Sequence, residues 1–129
     1  MFDELSKYKH SDHFFFEPID NLREKCNAPN DKSGVYIIYE LKNGRIELVY
    51  IGRSGEIKRD GKMFIRKSGI GGIKDRLVNG KQFGSPRRNS WKIKMIIEKI
   101  EALDIYWYVT HDKNHFQIFG RLPKWNNEF

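Results

Sequence analysis

The chain has 129 residues, enough for one domain that buries its own apolar core without disulfides or structural metal. A single cysteine, Cys26, excludes an internal disulfide and lacks the Cys and His companions of a zinc site, which points to a reducing, cytoplasmic setting. The net charge of +7 is concentrated: residues 53 to 94 hold thirteen Lys or Arg against Glu56, Asp60 and Asp75, a net of +10, leaving −3 for the rest.

Clustered positive charge fits a polyanionic partner, because neutralising phosphates releases their counterions. A membrane is not expected. No apolar run approaches the roughly 20 residues of a span, and Met1 to His10 is too polar and acidic for a signal peptide.

In chain order, residues 1 to 33 read as an N-terminal packing extension. It contains the apolar run Phe14-Phe15-Phe16, a short helix over 20 to 26 capped by Asp20, and a loop rich in Asn and Pro. Residues 34 to 41 and 45 to 52, rich in β-branched and aromatic residues, are two strands of a hairpin around Lys42-Asn43-Gly44. A two-residue Asn43-Gly44 loop sets Glu40 opposite Glu47 and puts Tyr36 and Tyr50 on opposite faces. A three-residue loop sets Glu40 against Ile46 and Tyr36 against Tyr50, and avoidance of the like-charge pair favours it.

Residues 53 to 69 are polar and glycine-rich, with a short strand at 62 to 66. A helix follows over 73 to 80, with Ile73 and Leu77 inward, Arg76 close behind the Gly71-Gly72 turn and Gly80 at its stop. A basic loop spans 81 to 89, and Ser90 is expected to cap a longer helix with Ile93, Ile96, Ile97, Ile100 and Leu103 on its apolar face. Residues 105 to 110 form a third strand. Trp91, Trp107 and Trp125, beside apolar runs, are expected in the core. The order predicts an α+β domain: a small, mostly antiparallel three-stranded sheet flanked by helices, single overall, with the main body at 34 to 129.

Hydrolysis of a phosphodiester needs a group to take a proton from water, positive charge where the phosphorane's negative charge grows, and help for the leaving oxygen. Tyrosine can serve the first need, arginine the second through its planar fork, and a divalent ion on a carboxylate the third. Gly34-Val35-Tyr36 and Tyr50-Ile51-Gly52 at hairpin spacing, followed by a glycine turn and a helix carrying Arg76, resemble the paired motifs of the GIY-YIG nucleases, with Val for the middle Ile. The likeness continues to Gly120-Arg121-Leu122-Pro123-Lys124-Trp125-Asn126.

The resemblance implies a DNA endonuclease assisted by Mg²⁺ or another divalent cation. In it Tyr36 is the general base or water-positioning group, Tyr50 a second phenol, Arg76 the phosphate-stabilising cation and Asn126 a supporting amide, while Gly34 and Gly52 allow close packing. Arg53, Lys81, Arg87, Arg88 and Lys92 are expected to contact the DNA backbone. The family's metal-binding Glu, on a helix between the third strand and the late Asn, has no counterpart: Asp112 is the sole carboxylate among residues 111 to 125. Loss of that segment with its activity, substitution by Asp112 or Glu128, and a piece absent from this chain all remain open, and the metal ligands are unassigned. A non-catalytic DNA-binding module is the rival reading.

Overall fold

The computed structural model describes residues 10–54, 56–57, 63–64, 72–109 and 124–125. In chain order the elements are β1 (Ser11–Phe16), α1 (Leu22–Lys25), β2 (Gly34–Lys42), β3 (Arg45–Arg53), β4 (Glu56–Ile57), β5 (Met63–Phe64), α2 (Gly72–Asn79), β6 (Lys81–Gln82), β7 (Ser85–Pro86), α3 (Arg87–Glu98) and β8 (Ala102–Val109). This is an α+β fold. Strand β2 is apolar on both faces, with Val35, Ile37 and Tyr39 on one and Tyr36 and Ile38 on the other, so it is stable only inside a sheet. It lies inside, in the antiparallel order β1-β8-β2-β3.

The sheet has four strands rather than the expected three. The extra one, β1, comes from the stretch read as a packing extension, and pairs along the whole edge of β8. Phe14 and Phe16 face the core while Phe15 points the other way, half-exposed. Three consecutive phenylalanines conceal the alternation that marks a strand. The adjoining helix α1 is capped by Asn21, whose side chain accepts from Glu24 N at 3.2 Å, whereas Asp20 accepts from Glu17 N one turn earlier.

The larger core lies on the face that carries Phe14, Phe16, Tyr36, Ile38, Tyr50, Ile105 and Trp107. Ile73, Leu77 and Val78 of α2 and Trp91 and Met95 of α3 fill it. All three tryptophans of the chain are buried. Helix α3 starts at Arg87 behind Pro86, so Ser90 lies in its first turn and caps nothing. Its inward stripe is Arg87, Ser90, Trp91 and Met95. Ile93, Ile96 and Ile97, expected in the core, are 56%, 65% and 73% exposed, because the larger Trp91 and Met95 occupy the inner face; Ile100 and Leu103 are buried but lie beyond the end of the helix at Glu98, Leu103 in β8.

Candidate functional site

The hairpin turn is the two-residue one. Asn43 and Gly44 have φ of 54° and 72°, the left-handed pair whose twist matches that of the strands. Lys42 faces Arg45 and Glu40 faces Glu47, so the register preferred from charge avoidance is overturned. Lys124 explains why. Its Nζ lies 2.6 Å from Glu40 Oε1 and 3.9 Å from Glu47 Oε2, placing a cation from the far end of the chain between the two carboxylates. The bond to buried Glu40 in turn holds the Lys124 ammonium above its ordinary range.

With that turn alone, Tyr36 and Tyr50 would face opposite ways. A bulge restores them to one side: Tyr39 faces Leu48 but Ile38 faces Tyr50, leaving Val49 as the extra residue. The Val49 carbonyl, displaced from the ladder, accepts from Trp125 N at 2.7 Å. Tyr36 faces Gly52 rather than Tyr50, and the two rings meet diagonally at 6.3 Å between centroids with planes 28° apart. A Cβ on Gly52 would lie 2.4 Å from the Tyr36 ring, and one on Gly34 only 1.9 Å from Tyr108 O, so Gly34 is closed to any side chain and one at Gly52 would displace the Tyr36 ring.

Both tyrosines are wholly buried on the helix side of the sheet. The Tyr36 hydroxyl makes no hydrogen bond to any described residue, which is costly for a buried polar group. Burial pushes the Tyr50 phenol above the ordinary tyrosine range, neighbouring Tyr36 adds to the push, and Arg87 and Arg76 oppose it without cancelling it. Tyr50 therefore keeps its proton at neutral pH.

One guanidinium beside the pair belongs to Arg87. Expected on the surface against DNA, it is 0% exposed, with Cζ 5.4 Å from the centroids of both tyrosine rings and 5.5 Å from that of Trp91. A surface role is excluded by its position at the start of α3, where the helix's inward stripe begins. Gln82 of the small β6–β7 ribbon is also buried, and its Oε1 accepts from Arg87 Nε at 3.1 Å and Trp91 Nε1 at 2.9 Å. Nothing in the sequence singled out Gln82. Pro86 was the available signal for Arg87, since proline commonly stands at a helix start.

Arg76 lies on α2, half-buried and close enough to act electrostatically on Tyr50. The helix is seated by the loop before the hairpin: Ile73 N donates to Lys32 O at 2.9 Å and Lys74 N to Pro29 O at 3.0 Å. Gly72, at φ +68°, allows that approach, because a Cβ there would lie 2.7 Å from Lys32 O. Of the other expected DNA contacts, Arg53 and Lys81 are exposed and Lys92 is half-buried. Arg88 is half-buried and donates to Asn79 Oδ1, which also accepts from Arg23 at 3.3 Å. Asn126, Asp112, Glu128, His111 and His115 lie outside the described residues.

The donor set at the tyrosine pair is two phenols and two guanidiniums, and a hard divalent cation asks instead for carboxylate oxygens. Among the described residues no group of three or more His, Cys, Asp or Glu side chains is placed to hold a metal. The described site thus does not by itself fit Mg²⁺. Among the described residues no helix is long and apolar enough to cross a membrane. No family model, curated protein or solved structure matches the chain.

Proposed function

We propose that the chain is a DNA endonuclease domain of GIY-YIG type whose phosphate site is built around Tyr36, Tyr50 and Arg76. The observation that carries this reading is the convergence on one face of two phenols and two guanidiniums, achieved through a bulge and two glycines against which backbone and ring lie close. One wholly buried and one half-buried cation beside a hydroxyl that bonds to nothing described are costly for a plain structural core. Positive charge there meets what a phosphorane develops, and protonated Tyr50 can donate to a phosphoryl oxygen. Tyr36 is assigned to the attacking water. Both phenols are closed off from solvent in this conformation, so engagement of a phosphate requires their cover to open. The free, buried Cys26 fits a cytoplasmic setting.

One observation favours the second reading, a DNA-binding module without turnover: among the described residues no group of three or more His, Cys, Asp or Glu side chains is placed to hold a metal. The two separate in a plasmid-nicking assay with Mg²⁺ or Mn²⁺, with and without chelator. The nuclease reading expects chelator-sensitive nicking that Tyr36→Phe and Arg76→Ala each lower by at least about 100-fold. A chain that shifts the plasmid on a gel and leaves it supercoiled is the binding module. Nicking that survives both substitutions refutes the site.

A further inference from the structure

We propose that Arg87 is a positioning residue that acts through Tyr50, fixing where that phenol's proton points and tying it to the helix that carries Arg76. This rests on the phosphate-site reading above. Arg87 itself belongs to none of the motifs behind that reading.

A buried guanidinium costs several kcal/mol in lost hydration unless its donors are used. Those of Arg87 are spread over three elements. Nε donates to Gln82 Oε1 at 3.1 Å, Nη1 to the Arg76 carbonyl at 2.6 Å and Nη2 to Tyr50 Oη at 3.3 Å. A planar fork with donors in fixed directions can span three such acceptors, and an ammonium on a flexible stem cannot reproduce it. The fold clears space for it: a Cβ on Gly80 would lie 2.4 Å from Arg87 Nη1. Gly80 N also donates to the Arg76 carbonyl, at 3.0 Å, so that oxygen is pinned from two directions.

The consequence for Tyr50 is directional. Arg87 is donor only, so the phenol oxygen must accept, which turns its own O–H away from Arg87 and polarises it. Tyr50 keeps its proton, which is therefore held on the side away from Arg87. Arg87 thereby links the two cationic contributions: one hand holds the phenol, the other the backbone of Arg76.

The test uses the full chain labelled with ¹³Cζ-tyrosine, with Arg87→Met, Arg87→Lys, Tyr50→Phe and the Arg87→Met/Tyr50→Phe double variant. The Tyr50 signal, assigned by its loss in Tyr50→Phe, should move in Arg87→Met, while those of Tyr39 and Tyr106 on the opposite face stay put. In nicking assays Arg87→Met should lower kcat roughly 100-fold with KM within about twofold, the scale of a small misplacement at a reacting centre. Arg87→Lys should recover less than a tenth of the lost rate. The double variant should be no slower than the slower single one. If Arg87→Met fails to fold, Arg87→Lys carries the same NMR comparison. An unmoved Tyr50 signal, or rate losses that multiply in the double variant, overturns the inference. A wild type that never nicks refutes the nuclease reading; the Tyr50 signal then decides alone whether Arg87 orients the phenol.

Discussion

The two ends of the β2–β3 hairpin are held by different means. At the turn end, two like-charged residues meet across the ladder, and a lysine from the far end of the chain sits between them on a half-exposed surface. At the glycine end, the contacts are steric and buried: ring against bare backbone, and guanidinium between rings. The bulge at Val49 separates the two regimes. Tightness at one end and adjustable charge at the other means that equal changes in side-chain size should cost very different amounts.

The sharpest break should come at the glycine end. Gly34→Ala forces a methyl onto a backbone oxygen that cannot swing aside, and should cost about 3 kcal/mol or more in denaturant unfolding. Gly52→Ala should cost about 2 kcal/mol, because the Tyr36 ring can give way; its diagnostic is a changed Tyr36 environment by NMR. If either variant is as stable as wild type, close approach does not govern this end.

Alkaline pH should act next, in the interior behind the same end. Asn27 Oδ1 accepts from Trp107 Nε1 at 2.7 Å, and Trp107 faces Tyr36 across the ladder, so Cys26 is one residue from this contact. Burial pushes the Cys26 thiol from 9.0 to about 11. Between those values the unfolded chain sheds a proton that the folded chain keeps. Stability is therefore full below pH 9 and should fall by about 2–3 kcal/mol as the pH rises through 11. Chemical unfolding at pH 8 and 11 of wild type and Cys26→Ala measures this, with the variant losing correspondingly less over that interval.

The turn end should show the smaller effect. Lys124→Met leaves Glu40 buried beside Glu47 and should cost about 1–2 kcal/mol, below the full penalty of an orphaned interior charge because the lysine is 39% exposed. Adding Glu40→Gln should restore most of the loss. If it restores none, Lys124 acts by packing rather than charge. Smallest of all, Ile97→Lys on the outer face of α3 should stay within about 0.5 kcal/mol, since that side chain is largely in solvent.

What could be read beforehand follows the same division. Strands β2, β3 and β8 and the two main helices rest on local pattern: β-branched runs and the Ile73 and Leu77 spacing. The register did not, because the cation that permits Glu40 opposite Glu47 comes from Lys124, and no local pattern announces such a partner. Arg87 in a Pro-Arg-Arg-Asn stretch reads as surface. Its burial depends on acceptors from β3, α2 and the β6–β7 ribbon, which sequence neighbours do not disclose. The isoleucines of α3 misled for a related reason: apolar spacing shows that a face exists, but Trp91 and Met95 decided which face turned inward.

The Val49 bulge carries a consequence for how chain length can vary. Deleting Val49 would leave Leu48 opposite Tyr39 and Tyr50 opposite Ile38, with every other partner in the ladder in place. Deleting any residue from Glu47 to Arg45 or from Tyr50 to Gly52 would instead slide part of the strand by one position and turn its side chains over. The spacing between the two tripeptides can thus shorten by one residue only where the strand already carries one too many. The loss would fall on a buried valine and on the carbonyl that anchors Trp125, not on the meeting of the tyrosines.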